Sequence, residues 1–305
     1  VMEVERETPG RDSAGYMIGE TTSPNGKFRG IAVVSLFIET GDPLIIKFTL
    51  LDSLGNIIWE KKDCGIGFFW IMNDGSVIMS KPAGGFLDRV FEFYDQKGNL
   101  IKRTDELRTK GYGLFEKHSP DGIHLLIKTW EEGLLAFDTK GNLVKNFGPC
   151  DNFVASPGLR NVIVVYEDTV THKSEIRFYR DRKFVGRKDV EPLPRDMVIS
   201  PDGEYLAYLT RGRLSLFELS KAKELWKVDV KPGFAYISVD LSFMAKKVAV
   251  STTLGYIYLF DREGKKLVEE KIETFKGGAF RLDISDDGKF LTAKTRSEIY
   301  RFEIQ

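Results

Sequence analysis

Three histidines, His118, His124 and His172, are the side chains of this sequence best suited to hold a metal or move a proton near neutral pH. Only His118 and His124 are close together, on either side of the phrase Ser119-Pro120-Asp121-Gly122. A metal centre needs two or more converging ligands, and a closed zinc site needs four, so no metal is expected. The two cysteines, Cys64 and Cys150, are too few for a tetrahedral thiolate site or a disulfide framework, and they read as free thiols. No Gly-x-Ser-x-Gly elbow, His-Glu-x-x-His pair or phosphate-cradling glycine loop occurs. What remains is an abundance of carboxylates, from which an acid and a base for sugar or lactone hydrolysis could be drawn. The most conspicuous of them, Asp121, Asp202 and Asp287, sit where aspartate caps a turn, and they are assigned to structure.

The balance of charge narrows the partners. Lys plus Arg and Asp plus Glu both number 45, so the formal net charge is zero and no global field favours nucleic acid or an anionic membrane. The apolar runs, such as 31–38 and 65–72, fall far short of the roughly 18–20 residues that span a bilayer as a helix. Residues 1–10 lack the basic, apolar and small-residue succession of a signal peptide. If the N-terminus is a processed one, an exported location is favoured, periplasmic or extracellular; otherwise the chain is read as cytoplasmic. Glutamine occurs only at Gln96 and Gln305 among many Lys, Arg and Glu, a bias that hints at a hot environment.

The elements that would position any site come from an internal repeat. An apolar pair followed by Ser-Pro-Asp-Gly occurs at Ser119 to Gly122 and Ser200 to Gly203. Variants stand at Ser23-Pro24-Asn25-Gly26, Asn73-Asp74-Gly75, Ser156-Pro157-Gly158 and Ser285-Asp286-Asp287-Gly288, with a degraded copy at Ile237 to Asp240. Taking the serine or its equivalent at 23, 72, 119, 156, 200, 238 and 285, the intervals run from 37 to 49 residues. The phrase is a hairpin turn: Pro fixes φ, Asp or Asn bonds the backbone, and Gly accepts positive φ. A second phrase, apolar-Asp-x-x-Gly-x-apolar, alternates with it at Asp52, Asp95, Asp138 and Asp261, with degenerate equivalents at Phe178 to Phe184 and Phe217 to Leu225. Each unit therefore reads strand, turn, strand, variable loop, strand, turn, strand.

In these motifs the sequence resembles the WD-repeat-like propellers of bacteria and archaea that carry Ser-Pro-Asp-Gly turns, over essentially the whole chain. The aromatic-Asp pairs Tyr94-Asp95, Phe137-Asp138 and Phe260-Asp261 stand where a WD repeat has Trp-Asp. The resemblance implies an all-β fold, a seven-bladed β-propeller of four-stranded antiparallel blades in a single domain, 1–305. Six units are complete and the seventh stops after its third strand, so a strand within Met2 to Glu7 is expected to supply the fourth and close the ring. A short helical turn is expected within 104–110. The Asp-x-x-Gly-Asn-Leu phrasing is also similar to quinoprotein propellers, whose eight blades are each marked by Trp; with four tryptophans at no fixed place, no cofactor is expected.

Binding on such a fold is expected at loops between blades and between second and third strands, here 61–67, 81–88, 103–113, 167–174, 187–196 and 273–278. Both cysteines are placed in blade-entry loops. Phe86, beside Gly84 and Gly85, is a candidate docking knob, and Arg195, Asp196 and Arg281, at the start of inner strands, are candidate polar contacts in the channel. The expected role is a non-catalytic module that binds another protein, with no nucleic acid, no membrane span and any small-molecule ligand left open. The alternatives are a hydrolase or lactonase using channel carboxylates, and a carbohydrate- or polymer-binding propeller.

Overall fold

Each recurring unit folds as one antiparallel sheet. The computed structural model describes residues 2–5, 17–36, 43–83, 88–109, 116–168, 171, 173–190, 193–194, 196–210, 213–229, 236–272, 281–294 and 299–304. The chain divides into two compact units, one of Pro9–Cys150 with Pro157–Leu159, the other of Val1–Thr8, Asp151–Ser156 and Arg160–Gln305. After β1 (Met2–Glu5), three sheets make up the former. They are β2 (Met17–Thr22), β3 (Phe28–Leu36), β4 (Pro43–Asp52) and β5 (Ile57–Ile66); β6 (Phe68–Ile71), β7 (Val77–Pro82) and β8 (Asp88–Tyr94), with β9 (Leu100–Arg103) and β10 (Leu107–Arg108) both on β8; and β11 (Glu116–His118), β12 (His124–Lys128), β13 (Leu134–Asp138) and β14 (Leu143–Asn146).

The other unit holds four sheets. They are β15 (Asn152–Ala155), β16 (Asn161–Asp168), β17 (Lys173–Arg180) and β18 (Lys183–Val190); β19 (Asp196–Ile199), β20 (Tyr205–Leu209), β21 (Arg213–Glu218) and β22 (Lys223–Asp229); β23 (Tyr236–Leu241), β24 (Lys247–Thr252), β25 (Tyr256–Asp261) and β26 (Lys266–Lys271); and β27 (Arg281–Ile284), β28 (Phe290–Lys294) and β29 (Ile299–Glu303). The last sheet takes its fourth strand from β1, with Met2 opposite Phe302 and Glu5 opposite Ile299. Seven such sheets are the blades of a β-propeller.

The turn chemistry is that expected from the motif. The Ser200 hydroxyl donates to Asp202 Oδ1 at 2.5 Å and accepts the Tyr205 N–H at 3.0 Å, while Gly203 takes φ +79° and donates its N–H to the Ser200 carbonyl. Ser119 with Asp121, Ser285 with Asp287 and Ser23 with Asn25 repeat the serine-to-carboxamide or serine-to-carboxylate bond. The turn aspartates thus each accept the serine hydroxyl of their own turn.

The second turn is a tighter clasp. Asp52 Oδ1 accepts the N–H groups of Leu54 and Asn56 while Oδ2 accepts the Asn56 side chain, and Asp95 with Asn99 and Asp138 with Asn142 repeat this at the same distances, 2.8–2.9 Å. Side-chain and backbone donors of Asn56 and Asn99 hold the Asp52 and Asp95 carboxyls below the usual range.

Four expectations need correction. The degraded turn is not at Ile237 to Asp240, which lie in β23, but four residues on. There the Ser242 hydroxyl accepts the Lys247 N–H at 2.9 Å, and Met244 (φ 55°) and Ala245 (φ 49°) take the left-handed conformation that glycine fills elsewhere. Over the described part of 104–110, residues 104–109, no helix forms, because Leu107 and Arg108 pair with Arg89 and Asp88. Residues 61–66 are strand, with Lys61 opposite Phe48, so Cys64 is a buried residue of an outer strand and not part of an entry loop; both cysteines are free thiols. Finally, Trp59 and Trp226 do share a position, opposite Leu50 and Leu216 beside a bulge in the outer hairpin.

Within each unit the apolar residues meet between neighbouring sheets. Met72, Ile78, Phe91 and Phe93 of the second sheet pack on Leu125, Ile127, Leu135 and Phe137 of the third. Leu214 and Leu216 of the fifth pack on Val239, Val248 and Phe260 of the sixth. No sheet could bury these faces alone, which is why the repeat must stack.

Candidate functional site

Three places offer side chains from which a site could be built. The first is the turn between β12 and β13, Trp130-Glu131-Glu132-Gly133. Thr129 is buried at its base, where Oγ1 donates to the Gly133 carbonyl at 3.0 Å and accepts the Glu132 N–H at 3.1 Å. The Trp130 N–H donates to the Arg108 carbonyl at 2.9 Å, and Thr109 bridges Thr129. Gly133 (φ +84°) lies so close to Gly148 that a Cβ would fall 1.9 Å from the Gly148 oxygen. A backbone fixed from three sides thus presents Trp130 with 57% of its surface exposed, flanked by exposed Glu131, Glu132 and Arg108. Of the four tryptophans, Trp59 is buried and Trp70 and Trp226 are half-buried, so Trp130 alone is exposed.

The second place is the inner edge of the unit formed by the last four sheets, where the first strands of consecutive sheets lie side by side. Asp196 opens β19, its Oδ1 accepting the Met197 N–H at 3.0 Å and its Oδ2 the Val239 N–H at 2.9 Å. Asp240 on β23 repeats the device one sheet on, accepting Leu241 N–H at 2.9 Å and Ile284 N–H at 2.7 Å. Burial, with a smaller push from Asp283, raises the Asp240 pKa to about 6 against the pull of these amides and of Arg281. Arg281 opens β27 and is 81% exposed, with Nε 3.8 Å from Asp283, whose other oxygen is 3.4 Å from Lys294 Nζ. Chemically this is a row of carboxylates that staple adjacent strands, edged by mobile-length cations in solvent.

The third is a hollow between the first two sheets, lined by Phe68, Phe69, Trp70, Val34 and Ile45. Among the described residues no group of three His, Cys, Asp or Glu is arranged to hold a metal.

Of the residues singled out from sequence, Asp196 and Arg281 do begin inner strands, on sheets separated by the β23 sheet. They therefore share an edge without touching the same group. Phe86, Arg195 and His172 lie outside the described residues. Sequence reasoning passed over Trp130, although its setting was readable: a tryptophan in a polar Glu-Glu-Gly turn, between the apolar runs 124–127 and 134–137, has no core face to occupy.

The seven sheets and their stacking define a β-propeller. No protein-family model and no curated protein matches the sequence. Solved structures do. The C-terminal WD40 domain of Sif2 aligns with TM-score 0.65 at 12% identity, over 97% of this chain and 84% of that one. The Dos1 propeller aligns with TM-score 0.60 at 11% identity, over 97% and 81%. The Cps50 (Swd1) β-propeller domain of Myceliophteria thermophila aligns with TM-score 0.60 at 12% identity, over 99% and 100%. At such identity the likeness establishes the fold.

Proposed function

We propose that the chain is a single propeller domain that acts as a non-catalytic protein-interaction module, docking a partner through the Trp130 turn. The supporting observation is the exposure of Trp130 on a backbone held from three sides. A large rigid aromatic loses little entropy on burial and is the residue type most enriched in binding hot spots. Glu131 and Glu132 beside it suit a partner that offers an apolar pocket with a basic rim.

The hydrolase reading has less support, since Asp196 and Asp240 each turn both oxygens onto backbone amides of adjacent strands, the arrangement of a structural staple. A polymer-binding surface would call for a row of exposed aromatics around Trp130.

Trp130→Ala tests the reading. The wild-type chain, immobilised and exposed to extract of its source cells, should retain a defined set of proteins that the variant loses, with the two melting alike. The same set retained by both, or nothing retained by either, would refute it.

A further inference from the structure

We infer that the hollow between the first two sheets is a binding site for a small, uncharged bicyclic aromatic molecule. Its described walls are Val34 and Ile45 on one sheet and Phe68, Phe69 and Trp70 on the other, with Gly19, Glu20 and Thr21 of β2 along one side and Gly67 at the end. It measures about 300 Å³ and opens to solvent.

The hollow has an identifiable cause in the sequence. Four residues before the first turn, the inner strands carry Phe68, Asn152, Asp196, Ser238 and Arg281, whereas β2 carries Gly19. A Cβ built on Gly19 would meet nothing nearer than the Ala32 oxygen at 3.9 Å, so the missing side chain leaves open space. Gly19 needs no left-handed backbone, since it is absent from the glycines with positive φ. Its identity is therefore not dictated by the turn or strand it lies in.

Size and lining select the ligand. An apolar cavity of about 150 Å³ accepts benzene, and this one is twice that, at the lower end of the range of small-molecule sites. Aromatic walls favour a flat ring system, by stacked or edge-on contact. The one charged side chain among the described walls, Glu20, is 3.4 Å from Arg29, so the site offers little reward to a charged ligand.

Indole is the probe. Saturation-transfer NMR should show indole bound to the wild-type chain, progressively weaker binding to Gly19→Ala and Gly19→Val, and at least a tenfold loss in Gly19→Leu, with no fall in melting temperature. Gly19→Ala introduces no close contact, so the series is readable even if the leucine variant fails to fold. Absence of indole binding to the wild type, or equal binding across the series, would overturn the inference. So would capture of a tryptophan-bearing peptide without any binding of free indole, which would assign the hollow to a partner's side chain.

Discussion

Trp226 donates its indole N–H to the Arg262 carbonyl at 2.7 Å and covers Gly264 of the next sheet, where a Cβ would fall 2.8 Å from the ring. Trp59 covers Gly98 in the same way, at 2.9 Å. Gly98 and Gly264 thus serve two ends, a positive φ and a seat for the neighbouring sheet's tryptophan. Gly264→Ala should destabilise the chain by about 2–4 kcal/mol. Trp226→Phe keeps most of the packing and should cost about 1–2 kcal/mol, the scale of one buried hydrogen bond. Denaturant unfolding of both variants checks the ranking, and equal losses would contradict it.

Gly133 and Gly26 both have positive φ, at +84° and +69°, yet they differ in surroundings. A Cβ on Gly26 meets nothing within 4 Å, whereas on Gly133 it would strike the backbone of Gly148. Gly26→Ala should cost about 1 kcal/mol, the left-handed penalty alone. Gly133→Ala must displace the loop and should cost over about 3 kcal/mol. It should also weaken partner binding through Trp130, which the same pull-down reads.

Asp240 sets a pH dependence. Its folded pKa of about 6 lies above the ordinary aspartate value, so ionisation is harder in the folded chain than in the unfolded one. Its stabilising contribution is complete below about pH 4 and is lost as pH rises to about 6, by up to about 3 kcal/mol. Relative to Asp240→Asn, the wild type should therefore lose stability across that window and show no further relative change above it. Paired melting curves from pH 4 to 7 measure the difference; parallel curves would show that the carboxylate is not perturbed as described.

The hairpin between β17 and β18 turns on Asp181 and Arg182, at φ 47° and 65°, between the paired residues Arg180 and Lys183. This is the geometry that favours Asn-Gly, and here two side-chain-bearing residues adopt it. Arg182→Gly should stabilise by about 0.5–1 kcal/mol, the relief of left-handed strain outweighing the added freedom of the unfolded chain. Thermal unfolding is sufficient to detect it.

What could be read from the sequence was local. Ser119-Pro120-Asp121-Gly122 announces its turn because the interactions that make it lie within five residues, as the bond from His124 N–H to Ser119 Oγ shows. The turn at Ser242 escaped because Met244 and Ala245 occupy positive φ without glycine, leaving serine as its only mark. The shared place of Trp59 and Trp226 escaped for another reason: it is defined by the glycine of the following sheet, some 40 residues away. The staples from Asp196 and Asp240 are of the same kind, since Oδ2 of each accepts a backbone N–H from the next repeat. Trp130, by contrast, was legible locally, as a tryptophan in a Glu-Glu-Gly turn between two apolar runs.

The pairing of Met2 with Phe302 joins residues from opposite ends of the described chain. As the polypeptide emerges from the ribosome, β1 precedes the other described strands and its partner β29 follows them, so this sheet cannot be completed until both have been made. Every other sheet can zip from neighbouring hairpins as it appears. This one must instead close the longest loop among the described strand pairings, and so carries the largest loop-closure entropy of the seven sheets. Until then the edge of β29 has no partner of its own, and a second nascent chain's β1 is chemically the same strand, which makes exchange between copies the characteristic error open to this fold.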